Sequence, residues 1–543
     1  MNYTSTRDSS ISVSVAETIV KGISEEGGLF VPANLSVLPK FSVAKLARLA
    51  AESYHSYQNI AFDIFFPLFD FALHIEDELR NSIGNAYSAN FKTGDVTRLV
   101  ALEDTGKCAS YALELWHGPT AAFKDMALQA LPGLMSLSKI MLKRGGEKTL
   151  ILVATSGDTG KAALEGFKDA PGIEIAVFYP EEGVSDMQKL QMLTQEGANV
   201  HVFAVKGNFD DCQTAVKEAF ADSEILAKAS AAGVAFSSAN SINWGRLFPQ
   251  IVYYIDAYVQ LIRRSAIKAG DKINICVPTG NFGNILAAYY AIQMGLPVNK
   301  LICASNSNNV LTDFINTGIY NRNREFCTTV SPSMDILVSS NLERLLFHFT
   351  GGDSTQINKW FDSLKTSGEF EIDNKLKAKI GKLFYGGWCD ESDTAKTIKS
   401  VFMNNGYLMD THTAVGHKVW RDYVKETGDI RTKTLIVSTA NAYKFADSVY
   451  EALYGKFIPR MPSYDDMLNP NLSNFGMRDD DDVLPAVSDD ALTRLSERTG
   501  IRLPASLAAV RNKEVRFSGK AVAKEQIKET VLKIITGTIY KER

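Results

Sequence analysis

The chain has 543 residues, 45% hydrophobic and 22% charged, the composition of a soluble globular protein with roughly three or four domains. Its 58 Lys and Arg against 62 Asp and Glu give a net charge of -4, which supplies no general attraction to nucleic acid or to an anionic membrane. The six cysteines (Cys108, Cys212, Cys276, Cys303, Cys327, Cys389) form no CxxC pair and none of the seven histidines lies in HExxH, so reduced thiols, a cytoplasmic location and no metal site are expected.

The N-terminus, MNYTSTRDSSISVSVAET, lacks a basic region followed by an apolar core, and Asp8 and Glu17 argue against a transit peptide. Residues 1–95 are helix-rich by pattern, with a turn-like GGLFVP segment at Gly27 to Pro32, and are expected to form an N-terminal domain. A core is expected over 96–455. In it, short apolar runs alternate with helical patterns: TLILVA (149–154), IEIAVFY (173–179), NVHVFAV (199–205), INICV (273–277), LICAS (301–305) and TLIVS (434–438). Such runs predict an α/β fold with parallel sheet covered on both faces. A smaller subdomain is expected around 150–215. The most apolar long stretch, Leu247 to Ile262, is broken by Gln250 and Asp256 and reads as a buried helix, not a membrane span. Longer helical patterns around 306–400, such as NLERLLFHF (341–349), suggest an insertion. A polar break at 463–483, with Asp479 to Asp482 consecutive, reads as an exposed connection within a C-terminal segment, 456–543. That segment carries an amphipathic stretch, KEQIKETVLKII (524–535), expected as a surface helix.

Ligands of open parallel sheets bind where strands give way to helices. Three such junctions stand out. VPTGNFGN (277–284) places two glycines around Asn281 and Phe282 just before a helix, so its backbone N–H groups suit a phosphate. It is neither GxGxxG nor a Walker sequence. ATSGDTGKAAL (154–164) offers the hydroxyls of Thr155, Ser156 and Thr159 beside a helix N-terminus, a seat for a carboxylate, although plain N-capping competes. VSTANAYKF (437–445) ends a strand at Ser438 and Thr439, where an uncharged hydroxyl can meet a ring nitrogen or simply cap. Lys124 follows the turn HGPT, within the first turns of a helix among Ala, Phe and Met, where lost solvation favours the free amine needed for imine chemistry. His117, in the same turn, reads as structural.

Together these segments resemble the threonine synthases. HGPTAAFKD (117–125) is similar to the family's lysine motif, ATSGDTG (154–160) to its substrate loop, GNFGN (280–284) to its cofactor-phosphate loop and STA (438–440) to the stretch facing the pyridine nitrogen. YTSTR (3–7), GGLFVP (27–32), SINWGR (241–246), NLERLLFH (341–348) and DTHTAVGH (410–417) follow in family order. Asn441 and Ala442 stand where the family commonly has His-Pro, and Ala121 where a bulkier apolar residue is usual.

The resemblance implies a fold-type-II enzyme dependent on pyridoxal 5'-phosphate (PLP), with a large and a smaller α/β domain plus an N-terminal domain. It implies a Schiff base on Lys124, cofactor phosphate on Gly280, Asn281, Phe282, Gly283 and Asn284, and Thr439 at the ring nitrogen. Substrate would meet Thr155, Ser156, Asp158, Thr159 and Arg246, the last chosen for phosphate because a guanidinium matches it bidentately, with Lys161 as second candidate. The implied reaction takes O-phospho-L-homoserine and water to L-threonine and phosphate in a monomer or homodimer. A phospholyase releasing an α-keto acid is the alternative, and a non-catalytic PLP-binding relative a second one.

Overall fold

The computed structural model describes residues 1–52, 56–70, 72–91, 96–102, 109–181, 184–207, 209–455, 486–518 and 520–539. Cys108, both boundaries expected at 95/96 and 455/456, and the polar connection at 463–483 lie outside them in whole or part.

Every apolar run named above forms a strand, because continuous Val, Ile and Leu suit a sheet buried on both faces. Strands β1 (Tyr3–Ser5) and β2 (Phe30–Pro32) make a small antiparallel pair. The turn-like GGLFVP leaves a tight turn at Gly27, whose N donates to Ser24 O at 2.9 Å, and then enters β2. The large sheet contains β3 (Arg98–Leu102), β4 (Ser110–Glu114), β9 (Ile273–Pro278), β10 (Val298–Ser305), β13 (Phe384–Trp388) and β14 (Thr434–Ser438), in the order β13-β10-β9-β14-β4-β3. All its pairings are parallel except β3 with β4. The smaller sheet is wholly parallel: β5 (Lys148–Ala154), β6 (Ile173–Pro180), β7 (Val200–Val205), β8 (Val234–Ser238) and β15 (Ala521–Val522), ordered β15-β7-β6-β5-β8. A second antiparallel pair, β11 (Ile319–Asn321) and β12 (Glu369–Glu371), stands apart.

Three expectations change here. The smaller sheet runs past 215 to residue 238 and takes its outer strand from the C-terminal segment, since β8 and β15 are too short or too polar to read as apolar strands. The region 306–400, expected as a helical insertion, carries helices and also a strand, β13, which pairs in parallel with β10 and becomes an edge of the large sheet. Lys124 immediately precedes a single helical turn, Asp125–Leu128, and is not inside a longer helix. The apolar stretch 247–262 is the buried helix Gln250–Arg263, and among the described residues no helix is long and apolar enough to cross a membrane.

The N-terminal motifs are pinned to the core by the helix Leu342–Phe349. Arg344, fully buried, donates to the carbonyls of Phe30, Ser241 and Ile242 at 2.9, 3.3 and 2.6 Å. Its neighbour Glu343 accepts from Arg7 Nε and Nη2 at 3.1 and 3.0 Å. Segments 3–7, 27–32, 241–246 and 341–348 thus form one buttress.

Burial also sets a pH dependence. His417 is 4% exposed, its ring edge-on to Trp420, and burial followed by the nearby Arg421 charge pushes its pKa down to about 3. Above pH ~6.5 it is neutral both folded and unfolded and contributes nothing. Between about 6.5 and 3 only the unfolded chain binds the proton, so stability falls by about 1.4 kcal/mol per pH unit. Denaturant titrations at pH 7, 6 and 5 should show His417→Met losing that part of the slope; an unchanged slope contradicts the account.

Candidate active site

The C-terminal ends of β4, β5, β9 and β14 converge on one cavity. Main-chain hydrogen bonds fix two of the loops to each other. Phe123 N donates to Thr439 O at 2.7 Å, Asn441 N to Ala121 O at 3.0 Å, and Leu115 N to Ser438 O at 3.1 Å. Ala121 sits at φ 57°, left-handed backbone that disfavours a bulky side chain, which suits the alanine found there. Asn441 caps the turn Ala442–Phe445 through Tyr443 N, so the departure from His-Pro keeps an ordered turn. Asp125 holds the preceding turn by accepting from Thr120 N and Oγ1 at 2.8 and 2.7 Å. His117 pairs with Glu114 at 2.8 Å and does not line the cavity.

Lys124 is 8% exposed. Its Nζ lies 3.4 Å from Asp158 Oδ2 and 3.2 Å from Ser333 Oγ. Burial lowers its pKa; Asp158 opposes that, and the charges of Arg246 and Lys444 add to it. Asp158 is held the other way. Burial alone would raise its pKa, but the ammonium groups of Lys444 and Lys124 hold it well below the ordinary carboxylate range. Its Oδ1 receives Lys444 Nζ and Gln188 Nε2, both at 2.7 Å, and Lys444 also reaches Thr120 O at 2.9 Å.

The loop after β9 enters the helix Gly283–Gln293 without a side-chain cap, leaving its N-terminus directed at the cavity. Phe282 takes the left-handed conformation there, φ 63°, and turns its ring into the core against Phe384. Gly280, Asn281, Gly283 and Asn284 line the cavity; the Phe282 side chain does not. Asn341 braces this loop by donating to Asn281 O at 2.9 Å, and Ser339 Oγ donates to Gly280 O at 2.7 Å. A Cβ on Gly280 would come within 3.1 Å of Met334 Cα and 3.2 Å of Ser333 O. Gly280→Ala is therefore expected to cost about 1–3 kcal/mol of stability and to weaken cofactor binding. A melt and a PLP titration check this, and wild-type values in both would contradict it.

In the loop after β5, Thr155 Oγ1 accepts from Gly157 N and Gly160 N at 3.0 and 2.8 Å, so this hydroxyl caps its own loop. Ser156 and Thr159 line the cavity beside the N-terminus of the helix Asp158–Phe167. Lys161 does not; its Nζ is held by Glu165 at 2.9 Å and by Gln195. Arg246, 3% exposed, gives Nη1 to Ala239 O at 2.6 Å, while its Nε has no partner among the described residues. Burial brings its pKa down to about 10. Asp125 acts on it only as a nearby charge, so a buried guanidinium in the cavity wall with an unpartnered Nε among the described residues is suited to an anion.

The structure thus gathers Lys124, Thr155, Ser156, Asp158, Thr159, Arg246, Thr439 and four of the five loop residues around one cavity. It adds residues that the sequence did not single out for the site, among them Ser333, His412, Asn240 and Gln250. His412 had one legible signal. Asp410 caps the helix Thr411–Thr427, and a residue two positions past a cap lies beside the capping carboxylate.

Residues 93–358 match the family model described as pyridoxal-phosphate dependent enzyme, 2–87 that of the threonine synthase N terminus, and 413–479 that of threonine synthase, C-terminal. The chain is 40% identical over 449 residues to human threonine synthase-like 1, covering 81% of this chain and 58% of that protein's length. It is 37% identical over 473 residues to threonine synthase of Saccharomyces cerevisiae, covering 83% of this chain and 89% of that one. The crystal structure of PLP-bound threonine synthase from Brucella melitensis superposes with a TM-score of 0.79 at 32% identity, covering 98% and 99% of the two chains. The residues present fit that cofactor. There is a buried amine for its aldehyde, an uncapped helix N-terminus for its phosphate and an unpartnered Arg246 Nε for a further anion.

Proposed function

The chain belongs to the threonine synthase family of PLP-dependent enzymes, and we propose that it converts O-phospho-L-homoserine and water to L-threonine and phosphate. The observation that carries this reading is the pairing of a buried Lys124 amine with a second anion site at Arg246, in a cavity that already offers a phosphate cradle at 280–284. One phosphate seat suits the cofactor, the other a phosphorylated amino acid.

PLP supplies the electron sink for carbanion chemistry at the amino acid. In this reading Lys124 holds the cofactor, then takes and returns the α-proton, with its free amine favoured by burial. Asp158 orients that amine; being an anion itself, it repels the substrate carboxylate. Ser156, Thr159 and the helix end behind them receive the carboxylate. Gly280, Asn281, Gly283 and Asn284, with the backbone of Phe282, hold the cofactor phosphate. Thr439 meets the ring nitrogen without adding charge, which tempers the carbanion and restrains transamination. Arg246 binds the substrate phosphate and stabilises it as it leaves.

The competing outcome is release of an α-keto acid before water adds at Cβ. Incubation of the holoenzyme with O-phospho-L-homoserine tests the substrate: phosphate release is expected, and its absence refutes the reading.

A further inference from the structure

Among the described residues Lys124 Nζ has two hydrogen-bond partners, and they differ in what they can do with a proton. Asp158 is salt-bridged to Lys444 and bonded to Gln188, so it stays an anion and serves as a fixed acceptor. Ser333 Oγ, 3.2 Å away, is a hydroxyl that can accept one proton while giving another. Ser333 sits in a single 3-10 turn, Pro332–Met334, which has no side-chain cap of its own. Two neighbours hold that turn. Gly280 packs closely against it, where a Cβ would lie 3.1 Å from Met334 Cα and 3.2 Å from Ser333 O. His412 Nε2 accepts from Ser333 N at 3.2 Å, which puts the ring proton on Nδ1, 3.1 Å from Asp410 Oδ1. Asp410 is fixed in turn by His412 N at 2.9 Å and Thr413 N at 3.3 Å. The charged groups facing Lys124 are Asp158, Lys444 and Arg246.

We infer that Ser333 is the proton-exchange partner of Lys124, and that Asp410 and His412 are positioning residues that hold Ser333 against it. In the exchange, Ser333 Oγ takes a proton from the protonated Lys124 nitrogen as its own hydroxyl proton passes to the acceptor on the reacting amino acid. Run in reverse, the same hydroxyl returns a proton to the lysine. Oγ ends each cycle as it began, and no oxidant or further reactant is needed. This inference rests on the proposed function for its substrate, but the lysine chemistry it describes does not depend on which amino acid binds.

The test uses the holoenzyme and hydroxylamine, which displaces the lysine from the cofactor only as the lysine nitrogen gains a proton. Loss of visible absorbance gives the rate. Ser333→Ala is expected to slow displacement at least about tenfold, Ser333→Thr to keep it within about twofold of the parent, and His412→Gln to fall between them. A parental rate in Ser333→Ala overturns the inference. Should Ser333→Ala fail to hold cofactor, His412→Gln decides in its place, and a parental rate there overturns it equally. Exchange of the substrate α-proton in D2O, followed by NMR, separates the two readings. No exchange in the parent protein would refute the substrate while the hydroxylamine rates still judge Ser333.

Discussion

Lys124→Ala is expected to abolish the visible absorbance of lysine-bound cofactor and to lower turnover by on the order of 10³-fold or more. The residue would be both attachment point and principal acid–base, and no other amine substitutes. Lys444, whose charge acts on Lys124, is engaged by Asp158 at 2.7 Å and Thr120 O at 2.9 Å. The same contacts predict that the variant folds, because Asp158 keeps Lys444 and Gln188 when Lys124 is removed. An absorbance spectrum and a phosphate-release assay on the purified variant check both parts. Retention of absorbance and turnover would remove Lys124 from its role.

Arg246→Met should raise KM for O-phospho-L-homoserine by about 10- to 100-fold, the loss of one charge-assisted contact to phosphate. Its effect on stability should have the opposite sign or none. The guanidinium is buried with one carbonyl partner and an unpartnered Nε, so replacing it with an apolar side chain of similar length relieves a desolvated charge. A structural arginine would behave otherwise, losing stability with KM unchanged. Initial-rate kinetics beside thermal melts distinguish the two, and an unaltered KM would move the substrate phosphate elsewhere. Arg246→Lys is not expected to rescue, since an ammonium lacks the planar fork.

The parts of the site that were legible in the sequence sit directly after strands. Ser156, Gly280 and Thr439 each follow an apolar run, so strand pattern and loop composition pointed to the same spot. Lys124 was legible through its apolar surroundings and the motif around it. Ser333 was not, because a one-turn element has no periodicity and its partner His412 lies 79 residues away. Lys444 read as an ordinary lysine, since only the folded chain brings it to Asp158. Arg246 stood out by its planar guanidinium, whereas Lys161, also cationic and closer to the loop in sequence, is engaged by Glu165 and Gln195. In the fold, continuous apolar strands were readable, but β3 and β13 were not. Strand direction and edge pairing depend on which distant segment lies alongside, and local pattern carries no record of that.

Product identification in H2(18)O with O-phospho-L-homoserine and the holoenzyme decides whether water is added at Cβ. L-threonine carrying the heavy oxygen in its side-chain hydroxyl is expected, with one phosphate released per threonine formed. An α-keto acid released with phosphate, and no labelled threonine, would contradict that expectation and make this chain a phospholyase built on the same site.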